Sequence, residues 1–314
     1  MQNSACYIDE NRNPTGKPSP KLTEDAEHRP GNWLFGGRYD LRFGHFLVES
    51  VARLWALDYI DVPISGVVYM PGRPLKAFNP KRLVSRGRAL YDLFDGLPSP
   101  EIISKPTRFE TLFIPPQGCG AGELAVGCPE FRYFARKRFT KRVAPNGDDK
   151  LYISRSAMLS SPGQIVHEKL LETQLERDGF SIIHPQNHSI DEQIARISAA
   201  QIIVGVEGSA FHLVAYAANQ NCKIGVIRRR DKNHGIINHC RAFHGARAID
   251  LDAFEYGFVA PGSKHAIGNA VLDFVSLSRQ LRFHGLVGLD FDLPTLSEVD
   301  VAEGVEELQR KILS

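Results

Sequence analysis

Between Lys150 and Ile227, short apolar runs alternate with longer amphipathic ones. "KLYISR", "FSIIHP", "IIVGV" and "KIGVIRR" are brief, rich in β-branched residues and bounded by turn or charged residues, the pattern of buried strands. Between them, "GQIVHEKLLETQLERDG" places Val166, Leu170, Leu171 and Leu175 at helical spacing, and "SIDEQIARISAAQ" does the same with Ile190, Ile194 and Ile197. The second segment opens with Ser189-Ile190-Asp191-Glu192, the S-x-x-E spacing of a capping box. "SAFHLVAYAAN" reads as a further helix. Strand and helix taking turns predict a parallel sheet with crossover helices, a Rossmann-like half.

Upstream the pattern is looser. Residues 1–30 are polar and proline-rich and read as an irregular arm. Residues 31–147 form a first αβ region, with "FGHFLVESVARLWALDYI" as its clearest helix and "GVVYMP" and "TLFIPP" as short strands ended by proline. The turn-rich "VAPNGDDK" separates it from the region 148–298. Val301, Val305, Leu308 and Ile312 mark an amphipathic helix over 299–314, expected to pack back on the first region.

Composition narrows the function classes. The chain has 314 residues, 43% hydrophobic and 24% charged, with a net charge of +2, so nothing in the balance calls for nucleic acid. Five cysteines without a C-x-x-C pair fit a reducing compartment better than a disulfide framework or a zinc site. No apolar run approaches the ~20 residues of a membrane helix, and no apolar signal core is present. The expectation is a cytoplasmic protein, with peripheral membrane association left open.

Candidate chemistry concentrates in "GVEGSAFH", where an apolar strand meets a helix. At the carboxyl end of a parallel strand, Gly205 and Gly208 permit close backbone approach, and Ser209 with the helix N-terminus favours an anion. The same residues also make an ordinary tight turn, with Glu207 solvated and His212 packed on the sheet. Glu207 would repel a phosphate and is expected to face a sugar hydroxyl instead. Neither the nucleophile elbow G-x-S-x-G nor a phosphate-binding GxxxxGK[ST] loop is present, which removes acyl hydrolases and P-loop ATPases.

His45, Glu49 and Arg53 fall four apart on an otherwise apolar helix, either as a solvated ion-pair face or as a polar stripe lining a cleft. A histidine held by a carboxylate suits a general base. Arg155 closes a strand, and the Arg228-Arg229-Arg230 run follows another; guanidinium groups there could grip a diphosphate or simply face solvent. Asp250-Leu251-Asp252 has the spacing of a metal-binding acidic pair or of a turn. His234, His239 and His244 stand five apart, without the pairing of a helical metal site.

In order, "HFLVESVARL", "YISR", "GFSIIHPQNHSIDEQI" and "AAQIIVGVEGSAFHL" resemble glycosyltransferase family 61, over roughly Phe43 to Arg228. The resemblance implies a GT-B fold, two Rossmann-like domains facing a cleft. It implies an inverting, metal-independent transfer from a nucleotide-diphosphate sugar to a glycan or lipid-linked acceptor, as in bacterial capsular polysaccharide synthesis, with no cofactor. In that pattern His45 and Glu49 match the acceptor-side H-x-x-x-E helix, and Arg155 the arginine closing the "YISR" strand. Glu207, Gly208, Ser209 and His212 match the donor-side turn. His45 is then the base oriented by Glu49, with Glu207 as its rival. Arg155 and the Gly208–Ser209 backbone hold the diphosphate, with a further hydrogen bond from His212. Two departures stand out: Gln164 and His167 occupy places where the family has arginine and asparagine. A non-catalytic glycan- or nucleotide-binding protein of the same fold, and a metal-dependent transferase using Asp250 and Asp252, are the alternatives.

Overall fold

In the computed structural model, which describes residues 7–8, 14–15, 26–71, 79–158, 163–231, 235–259 and 268–313, the chain divides into two units, Met1–Thr140 and Lys141–Ser314. The division precedes the turn-rich segment expected to carry it.

In the first unit β1 (Tyr7–Ile8) pairs antiparallel with β2 (Pro14–Thr15). The main sheet is wholly parallel, in the order β5-β4-β3-β6, from β3 (Glu27–Tyr39), β4 (Gly66–Pro71), β5 (Pro100–Ile102) and β6 (Thr107–Phe113). β3 starts at Glu27, inside the segment read as an irregular arm. Val67, Val68 and Tyr69 of β4 are all buried, as in a strand covered on both faces. The order reverses beside β3, so the crevice of this sheet lies at the carboxyl ends of β3 and β6.

The segment 43–60 is not the single α-helix its spacing predicts. One turn, α1 (Phe43–His45), passes into a π-helix at Phe46–Ser50 and then a 3-10 turn at Leu54–Asp58. Tertiary hydrogen bonds account for the break. The Ala52 carbonyl accepts from the Gly118 N–H at 2.8 Å instead of continuing an α ladder. The buried Ser50 hydroxyl accepts from the Asp40 N–H at 3.0 Å. The apolar side still drives packing, because the Phe46 ring meets Tyr39 at 5.3 Å and Tyr39 meets Tyr69 at 5.1 Å. Two further helices complete the unit: α2 (Pro80–Tyr91), capped by Asn79 on the Lys81 N–H, and α3 (Pro129–Arg138).

The second unit follows the predicted alternation: β7 (Lys150–Ile153), α4 (Glu168–Arg177), β8 (Ser181–Ile183), α5 (Ile190–Ala199), β9 (Ile202–Val206), α6 (Ala210–Ala217), β10 (Lys223–Ile227), α7 (Ile236–His244) and β11 (Ala248–Leu251). All five strands are parallel, in the order β11-β10-β9-β7-β8, a Rossmann-like doubly wound sheet whose order reverses between β7 and β9. β12 (Phe254–Phe258) and β13 (Asn269–Leu272) pair antiparallel, and α8 (Phe274–Phe283) and α9 (Glu298–Leu313) follow.

The Ser189 capping box forms in full: the Ser189 N–H donates to Glu192 Oε2 at 2.8 Å and the Glu192 N–H to Ser189 Oγ at 3.2 Å. α4 begins only at Glu168, because His167 adopts a left-handed φ of 55°. Val166, read as part of that helix, packs ahead of it on Val271 and Leu308. Those contacts seat α9 within its own unit, where a return to the first region was expected; the Ile312 side chain lies outside the described residues. No described helix is long and apolar enough to cross a membrane. The described cysteines, Cys119, Cys128, Cys222 and Cys240, are free thiols.

Candidate functional site

Ligands of open parallel sheets bind beyond the carboxyl ends of the strands, at the point where strand order reverses. In the second unit that point lies between β7 and β9. Ser154 and Arg155 follow β7, Glu207 and Gly208 follow β9, and Arg228 to Arg230 follow β10.

Three guanidinium groups gather there around one carboxylate. Arg230 Nε donates to Glu207 Oε1 at 2.5 Å, and Arg229 Nε donates to the Glu207 carbonyl at 3.0 Å. Arg155 Nε donates to the Gly163 carbonyl at 2.7 Å, and its guanidinium fills the space over Gly208, where an added Cβ would lie 2.6 Å from Nη1. Glu207 is 4% exposed and Arg229 6%. Among the described residues Arg229 Nη1 has no hydrogen-bond partner. Burial, then repulsion from Arg230 and Arg155, brings the Arg229 guanidinium down to about 9. Burial lowers Arg155 as well. A buried excess of positive charge with an unmet N–H is complementary to an anion.

Glu168 supports Arg155 from behind. Its Oε1 accepts from the Arg155 N–H at 2.8 Å and from the Tyr152 hydroxyl at 3.0 Å, whereas Oε2 has no partner among the described residues. Burial pushes this carboxyl up to about 7, against the pull of those two hydrogen bonds. Sequence reasoning missed Glu168, and it named the Arg228-Arg229-Arg230 run without separating Arg229 and Arg230 from Arg228. The only sequence signals were an acid directly after His167 and the length of the arginine run.

The other predicted residues fall as follows. Gly205 serves packing, since an added Cβ would sit 2.6 Å from the Ile153 carbonyl oxygen of the neighbouring strand. The Ser209 side chain makes no capping hydrogen bond, although it stands at the start of α6. His212 Nδ1 lies 2.8 Å from Nδ1 of the fully buried His239, a ring that burial keeps neutral. His234 is outside the described residues. Gln164 is buried and donates to the Met158 carbonyl at 2.7 Å. His167 Nε2 lies 2.7 Å from the Asp300 carbonyl oxygen, a link to α9 and not to the arginine cluster. Arg228 turns to the acidic pair: Nε donates to Asp250 Oδ1 at 2.8 Å and Nη1 to Asp252 Oδ2 at 2.6 Å. Both carboxylates of that pair are therefore engaged by the one Arg228 guanidinium.

In the first unit the reversal point lies between β3 and β6, and the polar stripe of 45–53 follows β3 directly. His45 Nδ1 is 3.1 Å from Glu49 Oε1, without the angle of a formed hydrogen bond. Arg53 donates to the Pro115 carbonyl beyond β6 and lies 5.7 Å over the Phe35 ring. The π-turn thus keeps His45 and Glu49 adjacent while Arg53 ties the segment across the crevice. Ligand atoms of Asp40, His45 and Glu49 lie within 4.8 Å of one another, a set able to hold a cation. Arg42, however, already grips both Asp40 oxygens, Oδ1 at 3.0 Å and Oδ2 at 2.5 Å.

Residues 43–225 match the family model described as Glycosyltransferase 61. The match takes in His45, Glu49, Arg155, Glu168 and Glu207 and ends before the arginine run. No curated protein matches the chain.

Proposed function

The chain belongs to glycosyltransferase family 61, and from that premise we propose a division of labour between its two polar sites. Family membership makes the protein a transferase with a sugar donor and a glycan acceptor. We read the donor as a nucleoside-diphosphate sugar, the acceptor as a hydroxyl of a glycan or lipid-linked glycan, and the transfer as inverting in a GT-B arrangement. In that reaction a base takes the proton of the acceptor hydroxyl as its oxygen bonds to the anomeric carbon. The bond from that carbon to the diphosphate breaks on the opposite face, and the diphosphate leaves with the electron pair.

Arg155, Arg229 and Arg230 supply the positive charge for that leaving group, a stabilisation that grows as the bond breaks. The observation that carries the reading is Arg229: a buried guanidinium with an unpartnered Nη1, beside two further cations and a single carboxylate. Glu207 is taken up by Arg230, which supports a counter-charge role and favours His45, with Glu49 beside it, as the base. The grip of Arg228 on Asp250 and Asp252 supports a donor site that needs no metal.

The test is a thermal-shift panel of UDP-, GDP-, dTDP- and CMP-sugars, with and without EDTA, on the protein and on Arg229→Met. A ligand present at about 100 times its Kd stabilises the fold by about 2.7 kcal/mol. One diphosphate donor that shifts the protein, is insensitive to EDTA and is lost in the variant supports the reading. A uniform lack of response overturns it. Donor binding without transfer to any glycan would return the binding-protein alternative.

A further inference from the structure

Exposed apolar side chains of the first unit gather on one surface. Leu124 is 59% exposed, and Tyr133 and Tyr59 are each 56% exposed. A chain of contacts joins them. The Trp55 and Tyr59 rings meet edge-on at 5.7 Å, and Trp55 Nε1 donates to the Pro116 carbonyl at 3.3 Å, close to the exposed Ile114. Asp58, next to Tyr59, binds Lys137 at 3.1 Å and Arg138 at 2.7 Å on α3. Lys137 Nζ in turn sits 5.6 Å from the centre of the Tyr133 ring. Arg132 of the same helix donates to the Gly127 carbonyl at 2.6 Å, which brings in the exposed Leu124 and Val126.

Single exposed apolar residues are ordinary, but a contiguous patch marks an interaction site. The chemistry of this patch selects the partner. Four cations, Arg132, Arg136, Lys137 and Arg138, border the rings, against the acids Asp58, Glu123 and Glu130, with Lys137 and Arg138 sharing Asp58. The cores of protein–protein interfaces are depleted in charge, whereas here charge runs through the patch. Aromatic rings at headgroup depth, aliphatic tips below them and cations over anionic headgroups are the composition of a bilayer-facing surface.

We propose that this surface, from Trp55 and Tyr59 across α3 to Leu124, docks the protein on an anionic lipid bilayer. It continues directly from the segment bearing His45, Glu49 and Arg53, so docking brings the hydroxyl of a lipid-linked acceptor to those residues. That second clause rests on the transferase reading; the docking itself does not.

The full chain would be sedimented with vesicles of phosphatidylcholine alone and of phosphatidylcholine mixed with phosphatidylglycerol. Binding is expected only to the anionic vesicles, weakening with added salt, and falling about tenfold or more in Leu124→Ser/Arg136→Glu. The variant is checked for an unchanged melting temperature and an unchanged nucleotide-sugar shift. Failure to bind anionic vesicles, or equal binding by the variant, overturns the proposal. So does a dimer in sedimentation velocity that the same variant abolishes, which would make the face a contact between copies of the chain. Vesicle binding that survives when no nucleotide sugar shifts the protein would sink the transferase reading and leave the docking intact.

Discussion

Arg229 lies directly over Gly163. The glycine has a φ of +94°, and any Cβ there would collide with Arg229 Nη1. The family pattern leads one to expect an arginine in this segment, where Gln164 stands. Arg229 comes from beyond the end of β10, so a guanidinium lies against this segment from a different strand.

Arg229→Met tests the cluster by separating stability from binding. Removing a buried, incompletely paired cation is expected to leave the unliganded melting temperature unchanged or raise it by the equivalent of about 1 kcal/mol. Affinity for the nucleoside diphosphate should fall about tenfold or more. Calorimetric titration beside thermal denaturation reads both; a lower melting temperature with unaltered affinity would assign Arg229 to the scaffold.

The same residue sets a pH limit. Its guanidinium is brought well down, to about 9, and a bound anion favours the protonated form, so above that value binding must take up a proton. Diphosphate affinity should be level through neutral pH and fall by up to about tenfold per pH unit above 9. In Arg229→Met that component should vanish. An identical alkaline decline in both proteins would point to another group.

Glu168→Gln probes the carboxyl behind Arg155. The folded value of Glu168 is about 7, raised from 4.5, so its burial costs nothing at low pH. Stability drains away as pH climbs from the unfolded value through the folded one. The glutamine variant should therefore match the parent near the lower value and exceed it above pH 7, by a ceiling on the order of 3 kcal/mol. Parallel denaturation curves at pH 5 and pH 8 decide it; a constant offset would count against the buried acid.

His45→Asn should reduce turnover by about two to four orders of magnitude while leaving the nucleotide-sugar thermal shift in place. Glu49→Gln, which only loses the group beside the imidazole, is expected to do less. Full activity in His45→Asn would pass the role of base to another residue, with Glu207 the first to test.

The resemblance to glycosyltransferase family 61 read from the sequence is upheld by the family match, and the parallel sheet of the second unit was legible in its alternation of period. The capping box at Ser189 was legible because it is local. The broken helix of 43–60 was not. Its register is set by Gly118 and Asp40, which are remote from the periodicity that suggested a helix. Choosing among three consecutive arginines was also beyond the pattern. Ile224 to Ile227 of β10 are buried on both faces, so no alternation carries a phase into the residues that follow. Only the folded chain separates Arg228, bound to two aspartates, from Arg229 and Arg230 at the site.

Both polar sites stand on segments that leave the carboxyl ends of parallel strands, and in the second unit those strands are largely buried. Such a molecule separates what must be kept from what can be varied. On the transferase reading, new donors and acceptors would be sampled by varying the polar positions after β3, β7, β9 and β10 while Phe46 and its buried neighbours stay fixed. For an engineer, the practical address of specificity in this protein is four short stretches of chain.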